Sequence, residues 1–361
     1  MINRINHLVP KFVLGLMVGQ LFTLGVSAFT VATAEENLSY LVTDLGTLGG
    51  NYIEVNAIND AGQVVGASTI KTNKNNFIKH AFFWENGKMT DLGTLGGKSS
   101  VAYDINNQGK VIGQSDISGE NGGLMHAFSW EKGKQPLSLK TLGGIFSFAS
   151  TINNKGQVVG NSSTSSGTSH AFVLSDGNIT DLGTLNNQKF SNATSINNRG
   201  QIVGYSANDD SASQCVLWED LKIKATFGGE YSHCFPYAIN NAGQVVGSGS
   251  SDQGVTRAFL WEKGKDKSQD LGTLGGKSTY ARGINNTGKV VGTSDSYSGK
   301  PRAFLWVKGK LFDLNNFLPK NSGWELTGAS AMNNKGQIVG TGTFNGQPRA
   351  FLLTPVRVIS P

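Results

Sequence analysis

The stretch Ile152-Asn153-Asn154-Lys155-Gly156-Gln157-Val158-Val159-Gly160 reads I-N-N-K-G-Q-V-V-G. Its N-x-G predicts a tight turn, because Asn and Gly tolerate the left-handed backbone that a hairpin requires. The Val-Val that follows predicts a strand. With small changes the same stretch occurs seven times, beginning at Ile58, Ile105, Ile152, Ile196, Ile239, Ile284 and Met332. The central glycines, from Gly62 to Gly336, are separated by 47, 47, 44, 43, 45 and 48 residues. A period of that size marks a chain built from copies of one supersecondary unit.

Two further markers keep the same order. [HR]-A-F followed by two apolar residues starts at His80, His126, His170, Gln214, Arg257, Arg302 and Arg349. D-L-G-T-L-G-G is clear at Asp44, Asp91 and Asp270, near-complete at Asp181, and eroded elsewhere. Each unit therefore reads as four short strands. Strand A leads into I-N-N, strand B is Val-Val-Gly, strand C is the H-A-F-L-W segment, and strand D is T-D-L-G. Tight turns such as Asn86-Gly87, Asp176-Gly177 and Lys308-Gly309 join C to D. Four strands in about 45 residues is the period of a β-propeller blade. The expected fold is all-β: a single seven-bladed β-propeller spanning 40–355. Tyr40–Gly46 reads as a lone strand D, and the last unit has A, B and C but no D. The N-terminal strand is thus expected to complete the seventh blade, removing the free edges that invite aggregation.

Composition agrees. Gly is 48 of 361 residues, about twice the usual share, while Pro is only 8, which excludes collagen and Pro-rich disorder. Residues 1–34 have the pattern of a secretory signal peptide: Arg4 and Lys11, an apolar run from Phe12, and A-x-A at Ala32-Thr33-Ala34. Val26-Ser27-Ala28 is an earlier cleavage alternative, and an uncleaved membrane anchor is the competing reading. Cleavage would leave 29 basic and 25 acidic residues, a net charge of +4 with no Lys/Arg block. Nucleic-acid binding is set aside on that ground. The expected location is extracellular, periplasmic or cell-envelope, with no span after cleavage and a monomeric chain. Cys215 and Cys234 are too few for a disulfide scaffold or a cysteine-built zinc site. An oxidising compartment permits a disulfide between them, two free thiols being the other reading.

Comparison of the repeats suggests a contact between strands C and D. His80 precedes Asp91 by eleven residues, as His170 does Asp181 and Arg302 does Asp313; Arg257 and Asp270 are two further apart. Blade four has Gln214 and Ile223 in those places, and blade two has His126 with Ser138. Around a two-residue turn Phe82 falls opposite Asp91, with His80 its diagonal neighbour. If the ring closes as expected, Arg349 must meet Asp44. The aromatics of A-F-L-W, including Phe82, Trp84, Phe259 and Trp261, read as inter-blade packing. The Asn pairs read as turn formers, and G-T-L-G-G lacks the Lys and helix of a phosphate loop.

Chemistry is sparse. No G-x-S-x-G, H-E-x-x-H, EF-hand loop or C-x-x-C occurs, so no catalytic residue, metal site or cofactor is assigned. His233, in an irregular joint, is the only unusual histidine. The A–B and C–D turns form a uniform face, and the variable B–C loops and D–A joints form the other, where recognition is expected. Candidate ligand-binding residues there are Tyr52, Phe146, Phe190, Tyr231, His233, Tyr280, Arg282 and Trp324. Aromatic rings among hydroxyls and amides suit a glycan or a protein ligand, although loop aromatics also serve to plug gaps between blades. The leading expectation is a non-catalytic binding scaffold. The alternatives are a propeller lyase or hydrolase acting on an extracellular polymer, and a purely structural surface component.

With these markers the chain resembles the HAF-repeat family of bacterial extracellular proteins, on His80-Ala81-Phe82, His126-Ala127-Phe128 and His170-Ala171-Phe172. The later blades carry Arg for His, and blade four departs as Gln214-Cys215-Val216. The resemblance implies export and a repeat fold. It carries no activity or catalytic residue.

Overall fold

The structure is a computed structural model and describes residues 38–71, 77–117, 124–208, 213–251 and 253–357. The expected signal peptide lies outside the described residues. Seven four-stranded antiparallel sheets form seven propeller blades. In blade one, strands A (Gly49–Ile58), B (Val64–Ile70), C (Lys79–Glu85) and D (Lys88–Asp91) pair in sequence order. Blade seven takes A to C from Trp324–Met332, Ile338–Phe344 and Gln347–Arg357, and its outer strand is Leu38–Asp44. That last pairing is antiparallel and matches Asp44 with Phe351. No helix among the described residues is long and apolar enough to cross a membrane.

The repeat motifs have separate physical jobs. The C–D turn at Asn86-Gly87 has φ of 52° and 81°, the left-handed pair that a two-residue hairpin needs. The A–B turn differs from expectation. Gly62 alone takes a left-handed φ, of 83°, and Asn59 acts through its side chain. Its Oδ1 accepts the Ala61 and Gln63 backbone N–H groups, both at 3.0 Å. In D-L-G-T-L-G-G the Asp44 carboxylate accepts Gly46 N–H, and Thr47 Oγ1 accepts Gly49 N–H while donating to Gly50 O. The glycine third in strand B lies against a bulge in strand A. A Cβ on Gly160 would stand 1.9 Å from Phe148 O, so only Gly fits there.

The core lies between blades. Ala57, Val65, Ala81 and Phe83 of blade one pack on Ala102, Ile105, Val111, Phe128 and Trp130 of blade two. The strand C phenylalanines Phe82, Phe128, Phe259 and Phe304 are fully buried, as their period predicts, each contributing about 1.5–3 kcal/mol of transfer free energy. Polar contacts fix the spacing of neighbouring blades. Ala81 N–H donates to Ser100 Oγ at 2.9 Å, as Ala127 does to Ser147 and Ala171 to Ser191. Between blades four and five a Cys215–Cys234 disulfide stands in the same two places.

Two closed belts of asparagines ring the channel at the A–B turns. In the first, Asn59 Nδ2 donates to Asn106 O, and so on through Asn153, Asn197, Asn240 and Asn285 to Asn333, which returns to Asn59 O at 2.9 Å. In the second, Asp60 N–H donates to Asn107 Oδ1. The same bond joins Asn107, Asn154, Asn198, Asn241, Asn286 and Asn334 in turn, and Asn334 N–H closes on Asp60 Oδ1 at 2.9 Å.

The strand C–D contacts form as expected. His80 Nδ1 and His170 Nδ1 lie 2.8 Å from Asp91 and Asp181, and Arg257 Nε lies 3.3 Å from Asp270. Arg349 Nε reaches Asp44 at 3.3 Å across the closure. Arg302 sits 3.9 Å from Asp313 and bonds Glu325 more closely. Blade four corrects the sequence reading. A bulge between Leu217 and Trp218 shifts strand D, so Thr226, not Ile223, occupies the Asp place opposite Val216.

Candidate functional site

Strand A is the innermost strand, so its side chains line the channel. The residue two before the Ile or Met of each marker takes the same place in every blade: Asn56, Tyr103, Ser150, Thr194, Tyr237, Arg282 and Ser330. All seven line one cavity of about 300 Å³. Directly ahead of the repeated marker, this position takes five residue types in seven copies: Asn, Tyr, Ser, Thr and Arg.

Arg282 dominates it electrostatically. Its guanidinium lies 4.4 Å from the Tyr237 ring centre and 5.8 Å from that of Tyr280. It is exposed and makes no ion pair among the described residues. Stacking on aromatic faces holds the planar cation while leaving its five donors available. Tyr103 packs on Phe148 at 4.6 Å, and Tyr205 packs edge-on to Phe235 at 5.2 Å. Burial, with Glu54 adding to it, pushes the Tyr103 hydroxyl up to about 12, so it serves as a neutral donor.

Asp104 is a half-buried acid of the channel. Burial pushes its carboxyl up to about 7, against the bonds it accepts from Ile152 N–H at 2.9 Å and Ile105 N–H at 2.8 Å. The Ile152 bond joins blade two to blade three, as Ser195 joins blade four to Ile239 of blade five. The group is therefore first a connector, and its second feature is a charge that switches near neutral pH.

The sequence candidates divide. Tyr280 and Arg282 belong to the channel cluster. Tyr52 is beside the rim, its hydroxyl 2.9 Å from Glu54 Oε2 and its ring against Phe77. His233 is exposed, stacked 6.4 Å from Phe235. Phe146 and Phe190 are half-buried, their carbonyls accepting Ser162 and Ser206. Tyr231 is spent on packing over Phe259 and Gly249, and Trp324 on packing against Phe344 and Phe351. Tyr103, Asp104 and Tyr237 were not anticipated. Their signal was the pair of variable places directly ahead of I-N-N, Tyr103 and Tyr237 in the first and Asp104 in the second. Among the described residues no group of three or more His, Cys, Asp or Glu could hold a metal ion.

A family described as "Protein of unknown function (DUF3466)" matches residues 53–173, blade one to strand C of blade three. No curated protein matches the chain. Among solved structures, the chain is similar to the beta-propeller domain of the Trilobed protease from Pyrococcus furiosus. The TM-score is 0.56 and the identity 12%, over 86% of this chain and 100% of that one. It is similar to a Mycobacterium tuberculosis puromycin-hydrolyzing peptidase, with TM-score 0.55 and 13% identity over 87% of this chain and 54% of that one. The chain thus spans about half of that peptidase's length. It is also similar to YCF48 bound to D1 peptide, with TM-score 0.53 and 11% identity over 90% and 97%. At such identities the likeness shows the fold, and the fold is a seven-bladed β-propeller.

Proposed function

We propose that the protein is a non-catalytic binding scaffold of the HAF-repeat kind, exported to the cell envelope or beyond. Its ligand enters the channel from the variable-loop face and is a glycan or protein segment that presents a carboxylate. The observation that carries this reading is Arg282, a stacked and unpaired guanidinium among hydroxyls and aromatic rings. Arg reads a carboxylate through two parallel N–H bonds, and Tyr237 and Tyr280 keep it extended for that task. Sugar rings or peptide side chains would lie against the neighbouring aromatic residues. That the similar propeller YCF48 is bound to D1 peptide supports the peptide form.

The test is titration calorimetry of the purified protein with uronic-acid oligosaccharides, their neutral counterparts and acidic peptides. Carboxylate-bearing ligands should bind, and Arg282→Ala should weaken them by about tenfold or more, the loss of one charge-assisted pair. Equal binding of neutral and acidic ligands, or an Arg282→Ala protein that binds as well as the parent, rejects the reading.

A further inference from the structure

At the other mouth of the channel the second asparagine belt has donors left over. Each carboxamide is fixed in orientation, because its Oδ1 accepts the preceding blade's backbone N–H at 2.8–2.9 Å. Turning it over would set an NH2 against an N–H. The second atom of each group is therefore Nδ2 in six blades and, in blade one, Asp60 Oδ2.

Blade one shows where those second atoms go. Asp60 Oδ2 accepts Asn107 Nδ2 at 2.9 Å and Asn334 Nδ2 at 3.0 Å. Neighbouring members of the belt thus reach one another. In blades three to six no carboxylate intervenes, and Asn154, Asn198, Asn241 and Asn286 offer Nδ2 groups with no acceptor among the described residues. Donor neighbours donor along this arc, which favours an acceptor with lone pairs on its inner side.

We propose that the arc binds a small monovalent anion of the halide class, seated in the cavity of about 210 Å³ that these asparagines line. An N–H donor reaches a larger ion such as chloride at about 3.4 Å, longer than the 2.7–3.2 Å of an N–H···O bond. A halide accepts from several directions at once, so one ion can serve neighbouring carboxamides together. The ion sits off the axis toward blades three to six, away from Asp60. Lys155, Arg199 and Lys335, each one residue after the belt asparagine, are exposed around this mouth and raise the local anion concentration.

The site is separate from the Arg282 cluster and can be tested without any ligand for it. Crystals of the purified protein grown without halide and soaked in sodium bromide should show anomalous density beside Asn198 and Asn241. Chloride titration followed by ³⁵Cl line broadening gives the affinity in solution. Asn198→Asp copies the Asp60 arrangement, keeps the Oδ1 bond and should weaken binding by about tenfold or more, the effect of one charge at that separation even under water's screening. Asp60→Asn completes the ring of amides and should tighten binding by a similar factor. Absence of bromide from this mouth in both the parent and Asp60→Asn overturns the proposal. So does anomalous density at this mouth in a parallel soak with rubidium acetate, or an affinity unmoved by either substitution.

Discussion

Replacing Asp104 by Ser should make the protein more stable at alkaline pH, by an amount that depends on pH. The folded carboxyl is pushed from 3.8 to about 7, while in the unfolded chain it ionises near 3.8. Between those values the folded state holds the proton and the unfolded state does not, so stability falls as pH rises. Three pKa units correspond to about 4 kcal/mol, an upper bound because channel water reaches a half-buried side chain. Ser supplies the acceptor for Ile152 N–H that Ser195 supplies for Ile239 N–H at 3.3 Å, without a charge. Urea unfolding of both proteins at half-unit steps from pH 4 to 8.5 measures the difference. The advantage of Asp104→Ser should grow from pH 4 to about 7 and then level off. A difference constant across that range would show that Asp104 ionises as an ordinary carboxylate, and the argument would fail.

Two other outcomes follow from contacts between and within blades. Cys215→Ala with Cys234→Ser recreates the Ala81–Ser100 arrangement, so the double substitution removes the covalent link but keeps a polar one. For a loop of this length the loss should be about 3 kcal/mol, read by urea unfolding, and reductant should then have no further effect; an unchanged midpoint refutes it. His80 has its pKa raised, chiefly by the Asp91 hydrogen bond, so its contribution is full below pH 6.5 and fades as pH rises through the higher folded value. His80→Arg should abolish that slope. The amount is below about 1 kcal/mol because the pair is partly exposed, and a parent protein equally stable at pH 6 and 8.5 relative to the variant would contradict it.

The architecture was legible because a repeat is compared with itself. Seven copies of one marker fixed the blade count, and the orphan strand at Tyr40 with the missing strand after Leu353 announced the closure that Arg349 and Asp44 make. The belts were not legible. Periodicity shows that Asn recurs, but not that its Nδ2 spans to a residue 43 to 48 positions away, since a repeat gives identical neighbours no address. Thr226 was missed because the bulge at Leu217 has no sequence signature. The channel cluster was half seen: Arg282 stood out as a cation, whereas Tyr103 and Tyr237 acquire meaning only once strand A is known to face inward. A further bulge, between Val55 and Ala57, sets which residues do so.

The borrowed outer strand of blade seven also sets an order of events. Leu38–Asp44 is made before any blade, yet its only ladder partner among the described residues is Gln347–Arg357. Throughout synthesis this strand waits with unmet backbone groups while six sheets can assemble beside it. The circle therefore locks in a single late step, and a chain stopped short of Phe351 keeps an open seam that another molecule's strand could fill.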